Sequence, residues 1–202
     1  MRLVDETDFG FGWVDETGSV PRTSHALVAE GRVYVIDPVL VDGVEERIRG
    51  LGDPTAVLVL LDRHRRDSDA IAERLGVPVH ETPFEGLPGT PFELRRIVRN
   101  RLWREVALWW PGRRVLVAAD ALGTLGYMAA SGDRLGIHPM LRPWPPRRSL
   151  AGLEPEHVLV GHGEGVHGPE AATALADALA NARRRIPTLA ADGFRRAIAR
   201  LR

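Results

Sequence analysis

The sequence predicts a layered α/β fold, and two neighbouring patterns carry that prediction. Residues 56–61 form a short, continuous apolar run, as expected for a strand buried on both faces. A helical pattern then runs over 68–75 and stops at Gly76, and residues 77–80 give the next short strand. A strand–loop–helix–strand unit of this kind is typical of a sheet covered by helices.

Further elements extend this unit in both directions. Gly31 is expected to make the turn between strands over 25–29 and 32–37, and Asp42 to cap a helix over 44–51. The later predicted elements are a hairpin of 105–110 and 114–120, a strand over 156–160, and helices over roughly 169–185 and 189–201. Because no linker or repeat interrupts this series, we expect one domain over 1–202, ending in helices from about 169 to 201.

Composition and charge exclude several classes of protein. The chain has 202 residues, with 27 basic and 27 acidic side chains, so no overall positive charge attracts nucleic acid or a membrane. It contains no cysteine, which excludes disulfides and thiolate metal sites. All its basic residues are arginine, which excludes lysine-based chemistry. No apolar run is long enough to span a membrane, and the acidic N-terminus does not resemble a signal peptide, so we expect a cytoplasmic protein.

Ionisable side chains follow three of the predicted buried strands at the point where each strand ends. Asp62, His64 and Asp67 follow the first strand, Asp120 follows the hairpin, and His162 follows the last strand between two glycines. Side chains from separate strands converge at the carboxyl edge of such a sheet. Histidine and aspartate are ligands that Zn²⁺ and similar ions use. The pattern therefore predicts a shared site, with a metal ion as one occupant.

The order of these segments resembles the metallo-β-lactamase-fold hydrolase superfamily. The segment Val35-Ile36-Asp37-Pro38 resembles that family's strand ending in Ile-Asp-Thr-Gly, and residues 62–67 stand at the place of its H-x-H-x-D-H motif. Ala118-Ala119-Asp120 resembles its Gly-Asp, and Gly161-His162-Gly163 its last Gly-His-Gly turn. The resemblance implies a four-layer αββα sandwich and hydrolysis by metal-activated water.

The ligand motif is degenerate where it would be most informative. Residues 62–67 supply Asp62, His64, Arg66 and Asp67, so only His64 keeps its type in the H-x-H-x-D-H motif. The resemblance thus implies a metal site of His64, Asp120 and His162, with Asp62 or Asp67 as a further ligand. Arg66 cannot bind a metal, because a guanidinium has no lone pair to offer.

Arg66 is expected to take over the charge of one metal ion. We expect it to pair with Asp120 or Asp67, which makes a dinuclear site improbable. Two occupancies of the site remain open: no metal, or one divalent metal ion, with zinc foremost. The sequence supports two hypotheses for function. One is a weakly active or inactive metal-dependent hydrolase of an unknown small molecule, and the other is a metal-free binding module on the same fold. Whether the chain self-associates is left open. The arginine clusters at 95–96, 147–148, 183–185 and 195–196 are interpreted as solvent-exposed faces.

Overall fold

Two β-sheets packed face to face form the centre of the computed structural model, which describes residues 1–199. The strands of the first sheet are β1 (Arg2–Thr7), β2 (Gly10–Asp15), β3 (Arg22–Ala29), β4 (Arg32–Ile36), β5 (Asp53–Val59) and β6 (Val79–Glu81). They lie in chain order; β1 to β4 pair antiparallel, and β4, β5 and β6 pair parallel.

The second sheet is built from the later half of the chain. Its strands are β7 (Glu93–Arg99), β8 (Arg104–Trp110), β9 (Val115–Ala118), β12 (His157–Val160) and β13 (Val166–His167). Their order across the sheet is β13-β12-β9-β8-β7, and only β12 and β9 pair parallel. A separate two-stranded ribbon consists of β10 (Leu122–Gly123) and β11 (Gly136–Ile137).

Helices cover both outer faces, which gives the predicted four-layer αββα order. The helices are α1 (Val44–Leu51), α2 (Ser68–Leu75), α3 (Arg147–Leu150), α4 (Glu170–Asn181) and α5 (Ile186–Ala199). Apolar side chains of α1 and α2 pack against the first sheet, and those of α4 against the second. A third apolar cluster lies between the sheets. Trp109 and Trp110 face opposite sides of β8, so one packs beneath α4 and the other between the sheets.

Several predicted boundaries are corrected by the structure. Helix α1 begins after Gly43, which has a left-handed φ of 78°, so Asp42 is not the cap. Strand β5 ends at Val59, because the next amide, that of Leu60, donates to the Asp37 carboxylate. Helix α4 ends at Asn181 rather than 185, and the predicted helix end at 201 lies outside the described residues.

Six of the described strands were not predicted from the sequence: β1, β2 and β7, and the two-residue strands β10, β11 and β13. Strand β7 is a half-exposed edge strand rich in arginine, and β1 is largely polar, so neither shows an apolar pattern. Strand β2 contains two glycines among its first three residues, which weaken a strand pattern. Within residues 1–199, no helix combines the length and apolar character that crossing a membrane requires.

Candidate metal centre

His64 lies in a short 3₁₀ turn, Asp62–His64, which follows strand β5 of the first sheet after Leu60 and Leu61. The ring is buried, and its Nδ1 atom lies 3.0 Å from Oδ2 of Asp37. The other Asp37 oxygen accepts the Leu60 amide at 2.8 Å. A carboxylate that fixes one imidazole nitrogen in this way leaves the opposite nitrogen free to bind a metal. Asp37 therefore orients Nε2 of His64 toward the site.

Asp120 and His162 leave neighbouring parallel strands at the same level. Ala118 of β9 pairs in register with Val160 of β12, and each site residue follows two positions later. The close approach requires glycine beside His162: a Cβ atom on Gly161 would lie 2.8 Å from the Ala119 carbonyl oxygen. The register of these two strands thus brings the two side chains to one edge of the second sheet.

The His162 ring is oriented by the main chain of another loop. Its Nδ1 atom lies 2.7 Å from the carbonyl oxygen of Pro21, an acceptor only, so Nδ1 carries the proton and donates it. The Nε2 atom is then free, as it is in His64. Gly163 follows with a φ of 101°, and a Cβ atom there would lie 2.1 Å from Oγ1 of Thr124. Glycine on both sides therefore fits this tight turn.

The three predicted residues His64, Asp120 and His162 converge. One ligand atom from each lies within 4.8 Å of the others. Oδ1 of Asp120 is 3.1 Å from Nε2 of His64 and 3.0 Å from Nε2 of His162. Despite these distances Oδ1 is buried and makes no hydrogen bond. Three lone pairs directed into one space, with a buried carboxylate oxygen unsatisfied, fit a divalent cation such as zinc.

The charges around this group are strongly coupled. Burial raises the pKa of Asp120, but the adjacent rings of His162 and His64 outweigh it and hold that pKa well below its usual range. Burial and the Arg66 cation lower the pKa of His64, yet the contacts with Asp120 and Asp37 raise it overall. Asp120 is therefore held as a carboxylate, the form in which it can bind a metal.

Arg66 does not make the ion pair predicted for it. Its Nη1 atom donates to the carbonyl oxygens of Thr23 and Asp37, at 2.6 and 2.8 Å, and Nη2 donates to that of Gly161 at 3.2 Å. Within residues 1–199, no carboxylate oxygen lies within 4.0 Å of its guanidinium, so the predicted pairing with Asp120 or Asp67 is wrong. The reason is geometric: three chain segments direct carbonyl oxygens at one point, and a planar fork satisfies all three.

Asp62 and Asp67, the two further ligands considered from the sequence, lie apart from the three converging groups. Oδ2 of Asp62 accepts the amide of Arg104, and Oδ2 of Asp67 accepts that of Leu40. Neither carboxylate belongs to the group of ligand atoms formed by His64, Asp120 and His162. Both side chains instead tie the loop after β5 to neighbouring segments.

Two important residues escaped the sequence analysis. Arg63 lies 3.3 Å from Oδ2 of Asp120 and stacks over the ring of Trp103 at 4.4 Å, so it makes the ion pair expected of Arg66. Glu105 is fully buried behind Asp120, within the otherwise apolar strand β8. A single acid in a buried strand was the available signal, since such a group requires specific partners.

Glu105 holds the backbone of Asp120 from behind. Its Oε1 accepts the amides of Asp120 and Ala121, at 3.0 and 2.7 Å, and its Oε2 accepts the indole N–H of Trp103 at 2.7 Å. Burial raises the pKa of Glu105 to about 7 despite these bonds. Three donors satisfied by one buried carboxylate fix the position of Asp120 and of the Trp103 ring on which Arg63 stacks.

The three converging groups open onto a cleft of about 550 Å³. The residues that line it are Gly18, Ser19, Val20, Arg22, Arg63, His64, Arg66, Asp120 and His162. The ring of Tyr127 lies 6.3 Å from that of His162, and burial raises the pKa of its hydroxyl to about 12. The cleft therefore combines a candidate metal centre with three guanidinium groups.

A second histidine cluster lies outside this centre and has a structural explanation. Asp5 is buried, and its two carboxylate oxygens contact the rings of His25 and His167 at 3.2 and 2.8 Å. His167 also meets His157, with 2.9 Å between their Nδ1 atoms. These contacts connect strands of both sheets at one edge of the sandwich, which gives the three histidines a structural role.

Comparison with known proteins identifies the fold and nothing narrower. No protein-family model matches the sequence, and no curated protein matches it either. Among solved structures, TMB-1 is similar with a TM-score of 0.62 and 10% identity over 91% of this chain and 97% of that chain. VMB-1 is similar with a TM-score of 0.58 and 12% identity, over 90% of this chain and 97% of that chain. A metallo-beta-lactamase from Erythrobacter litoralis is similar with a TM-score of 0.56 and 10% identity, over 90% of this chain and 92% of that chain.

Proposed function

We propose that this chain, which has the metallo-β-lactamase fold, binds one divalent metal ion, zinc foremost, and acts as a weak metal-dependent hydrolase of a small molecule. The observation that carries the proposal is the buried oxygen Oδ1 of Asp120, which makes no hydrogen bond although two imidazole Nε2 atoms lie within 3.1 Å. When the proton of each neutral ring is on Nδ1, where it is donated to Asp37 or to the carbonyl of Pro21, neither Nε2 atom has a proton to donate to Oδ1, whereas a cation would be bound by all three atoms.

A single ion agrees with the rest of the site. Arg66 stands where the family's motif has an aspartate, and its Nη2 atom lies only 3.3 Å from Nδ1 of His64. A partly buried guanidinium at this position contributes one positive charge and no ligand. Since repulsion between cations is strong in a buried site, it disfavours a second metal ion.

The residues around the centre have separable tasks in a hydrolysis. A bound ion would supply Lewis acidity and lower the pKa of a coordinated water. Asp37 and the carbonyl of Pro21 hold the protons on Nδ1 of the two histidines, so that both Nε2 atoms stay available. Arg63, half-exposed in the cleft, can donate to an anionic oxygen of the substrate. The family's motif has an aspartate where Arg66 stands, and within residues 1–199 no second carboxylate joins the group of His64, Asp120 and His162 as a proton acceptor, so we expect slow turnover.

A second function, that of a metal-free binding module, is favoured by one observation. Arg63 pairs with Oδ2 of Asp120, and Arg66 lies partly buried beside His64, so two guanidinium groups already offset the carboxylates of Asp37 and Asp120. In that case the cleft would bind an anionic ligand through its arginines. Metal binding by the purified protein decides between the two functions.

Excess Zn²⁺ is expected to raise the thermal midpoint of the wild type by about 5–10 °C at one hundred times its dissociation constant, because the ion binds only the folded state. His162→Ala should abolish this rise, since it removes one of the three ligand atoms. Differential scanning fluorimetry with and without Zn²⁺ measures both.

His80→Ala is the matched control for this experiment, because His80 is exposed on β6 and takes no part in the group. It should keep the full zinc-induced rise. A rise that survives His162→Ala would place the ion elsewhere, and a wild type that shows no rise at all would favour the metal-free module.

A further inference from the structure

A second cleft, lined by arginines, shares no residue with the candidate metal centre or with the cleft onto which that centre opens. It encloses about 720 Å³ between β7, the segment 144–149 and the turn after α4. Its basic residues are Arg96, Arg99, Arg147, Arg148 and Arg183, and all five are exposed. Among residues 1–199, no acidic side chain lines the cleft. A volume of this size is in the range of small-molecule sites.

Most of the positive charge of this cleft is not balanced by nearby carboxylates. Of its five arginines, only Arg99 has a carboxylate within 4.0 Å among the described residues, that of Glu85 at 3.4 Å. The whole chain has equal numbers of acidic and basic residues, and many of its other arginines form ion pairs. Five cations with only one paired carboxylate are therefore a local concentration of positive charge, which favours an anionic ligand.

Two of the arginines brace the walls of the cleft. Arg147 donates to the carbonyl oxygens of Leu179 and Ala180, at 3.0 and 3.1 Å, and Arg183 donates to that of Pro143 at 2.7 Å. Within residues 1–199, the guanidinium groups of Arg96 and Arg148 make no hydrogen bond to the protein. The cleft thus has a fixed frame and at least two guanidinium groups available for a ligand.

An exposed tryptophan completes the arrangement. Trp144 is 79% exposed, whereas the other four tryptophans are at most 8% exposed. It stands between Pro143 and Pro145, and its amide donates to the carbonyl of Leu141, so its backbone is constrained. An exposed indole on a constrained segment offers a flat apolar face beside the arginines, and planar rings such as nucleic-acid bases stack on indole.

We propose that this cleft binds a nucleotide unit, with its base stacked on Trp144 and its phosphate held by Arg96 and Arg148. Guanidinium groups bind phosphate oxygens through paired hydrogen bonds, and exposed indole binds bases of any sequence. The same chemistry is offered by a free nucleotide and by the end of a single strand. This inference does not depend on the proposed hydrolase activity, because no residue of the cleft belongs to the metal centre.

The fluorescence of Trp144 tests the proposal directly, because it is the exposed tryptophan among four buried ones. The probes are ADP, a short oligo(dT) and adenosine, each titrated into the wild type at about 50 mM salt and again at about 200 mM. We expect saturable quenching by ADP or by oligo(dT), weaker at the higher salt, and none by adenosine at the same concentrations. Tighter binding of ADP indicates a free nucleotide as the ligand, and tighter binding of oligo(dT) indicates a strand.

Three variants make the test specific. Trp144→Phe should remove the quenching, and the double variant Arg96→Gln/Arg148→Gln should weaken binding by about tenfold or more. Arg113→Gln, an exposed arginine paired with Asp8 away from the cleft, should bind as the wild type does. The proposal is overturned if neither ADP nor oligo(dT) gives saturable quenching, if adenosine alone quenches equally, or if the double variant binds unchanged.

Discussion

Glu105→Gln is expected to destabilise the protein by about 2 kcal/mol, which corresponds to roughly 4–8 °C in thermal midpoint for a chain of this length. Both carboxylate oxygens of Glu105 accept hydrogen bonds, from two backbone amides and from an indole N–H. An amide has only one acceptor oxygen, so its NH₂ group must face a buried donor at one of these places. Thermal and urea unfolding measure the loss.

The control for this substitution is Glu93→Gln on the adjacent strand β7. Glu93 is exposed and pairs only with Arg95, so its replacement should cost no more than about 1 kcal/mol. Glu105→Gln should also reduce the zinc-induced rise in midpoint, because the amide of Asp120 loses its fixed acceptor. If the two variants unfold at the same temperature, Glu105 does not hold the site as described.

Arg66→Met is expected to have opposite effects on stability and on zinc affinity. The substitution leaves three carbonyl oxygens in the interior without their donor, those of Thr23, Asp37 and Gly161, and should cost about 3 kcal/mol or more. It also removes a partly buried cation beside His64, so zinc should bind about tenfold more tightly. Unfolding without metal and a zinc titration measure the two effects.

Arg66→Lys separates charge from hydrogen bonding at this position. Lysine keeps the positive charge but cannot reach three carbonyl oxygens with a planar fork. It should therefore lose stability as the methionine variant does, yet show no gain in zinc affinity. An equal gain in both variants would contradict the view that the charge of Arg66 opposes metal binding.

The sequence was sufficient to place the candidate site because that site depends on strand ends. His64, Asp120 and His162 each follow a short apolar run, and parallel strands that end at one level bring such residues together. The degenerate motif also indicated Arg66 as the unusual residue. The four-layer order followed from the resemblance and is confirmed by the structure.

What the sequence did not predict depends on contacts between distant segments. The partners of Arg66 are carbonyl oxygens, which every residue has, so no residue type along the chain marks them. Glu105 reads as the polar start of an apolar strand, and only its three donors reveal its role. The motif alone cannot show whether Arg63 or Arg66 pairs with Asp120, because the backbone of the loop decides which guanidinium reaches that carboxylate.

The proposed site holds one metal ion on His64, Asp120 and His162, and Arg66 occupies the remaining space of the family's metal site. Equilibrium dialysis of the purified protein against a saturating concentration of zinc, followed by elemental analysis, tests it most directly. We predict one zinc ion per chain, and none in His162→Ala. Two ions per chain, or none in the wild type, would contradict the claim.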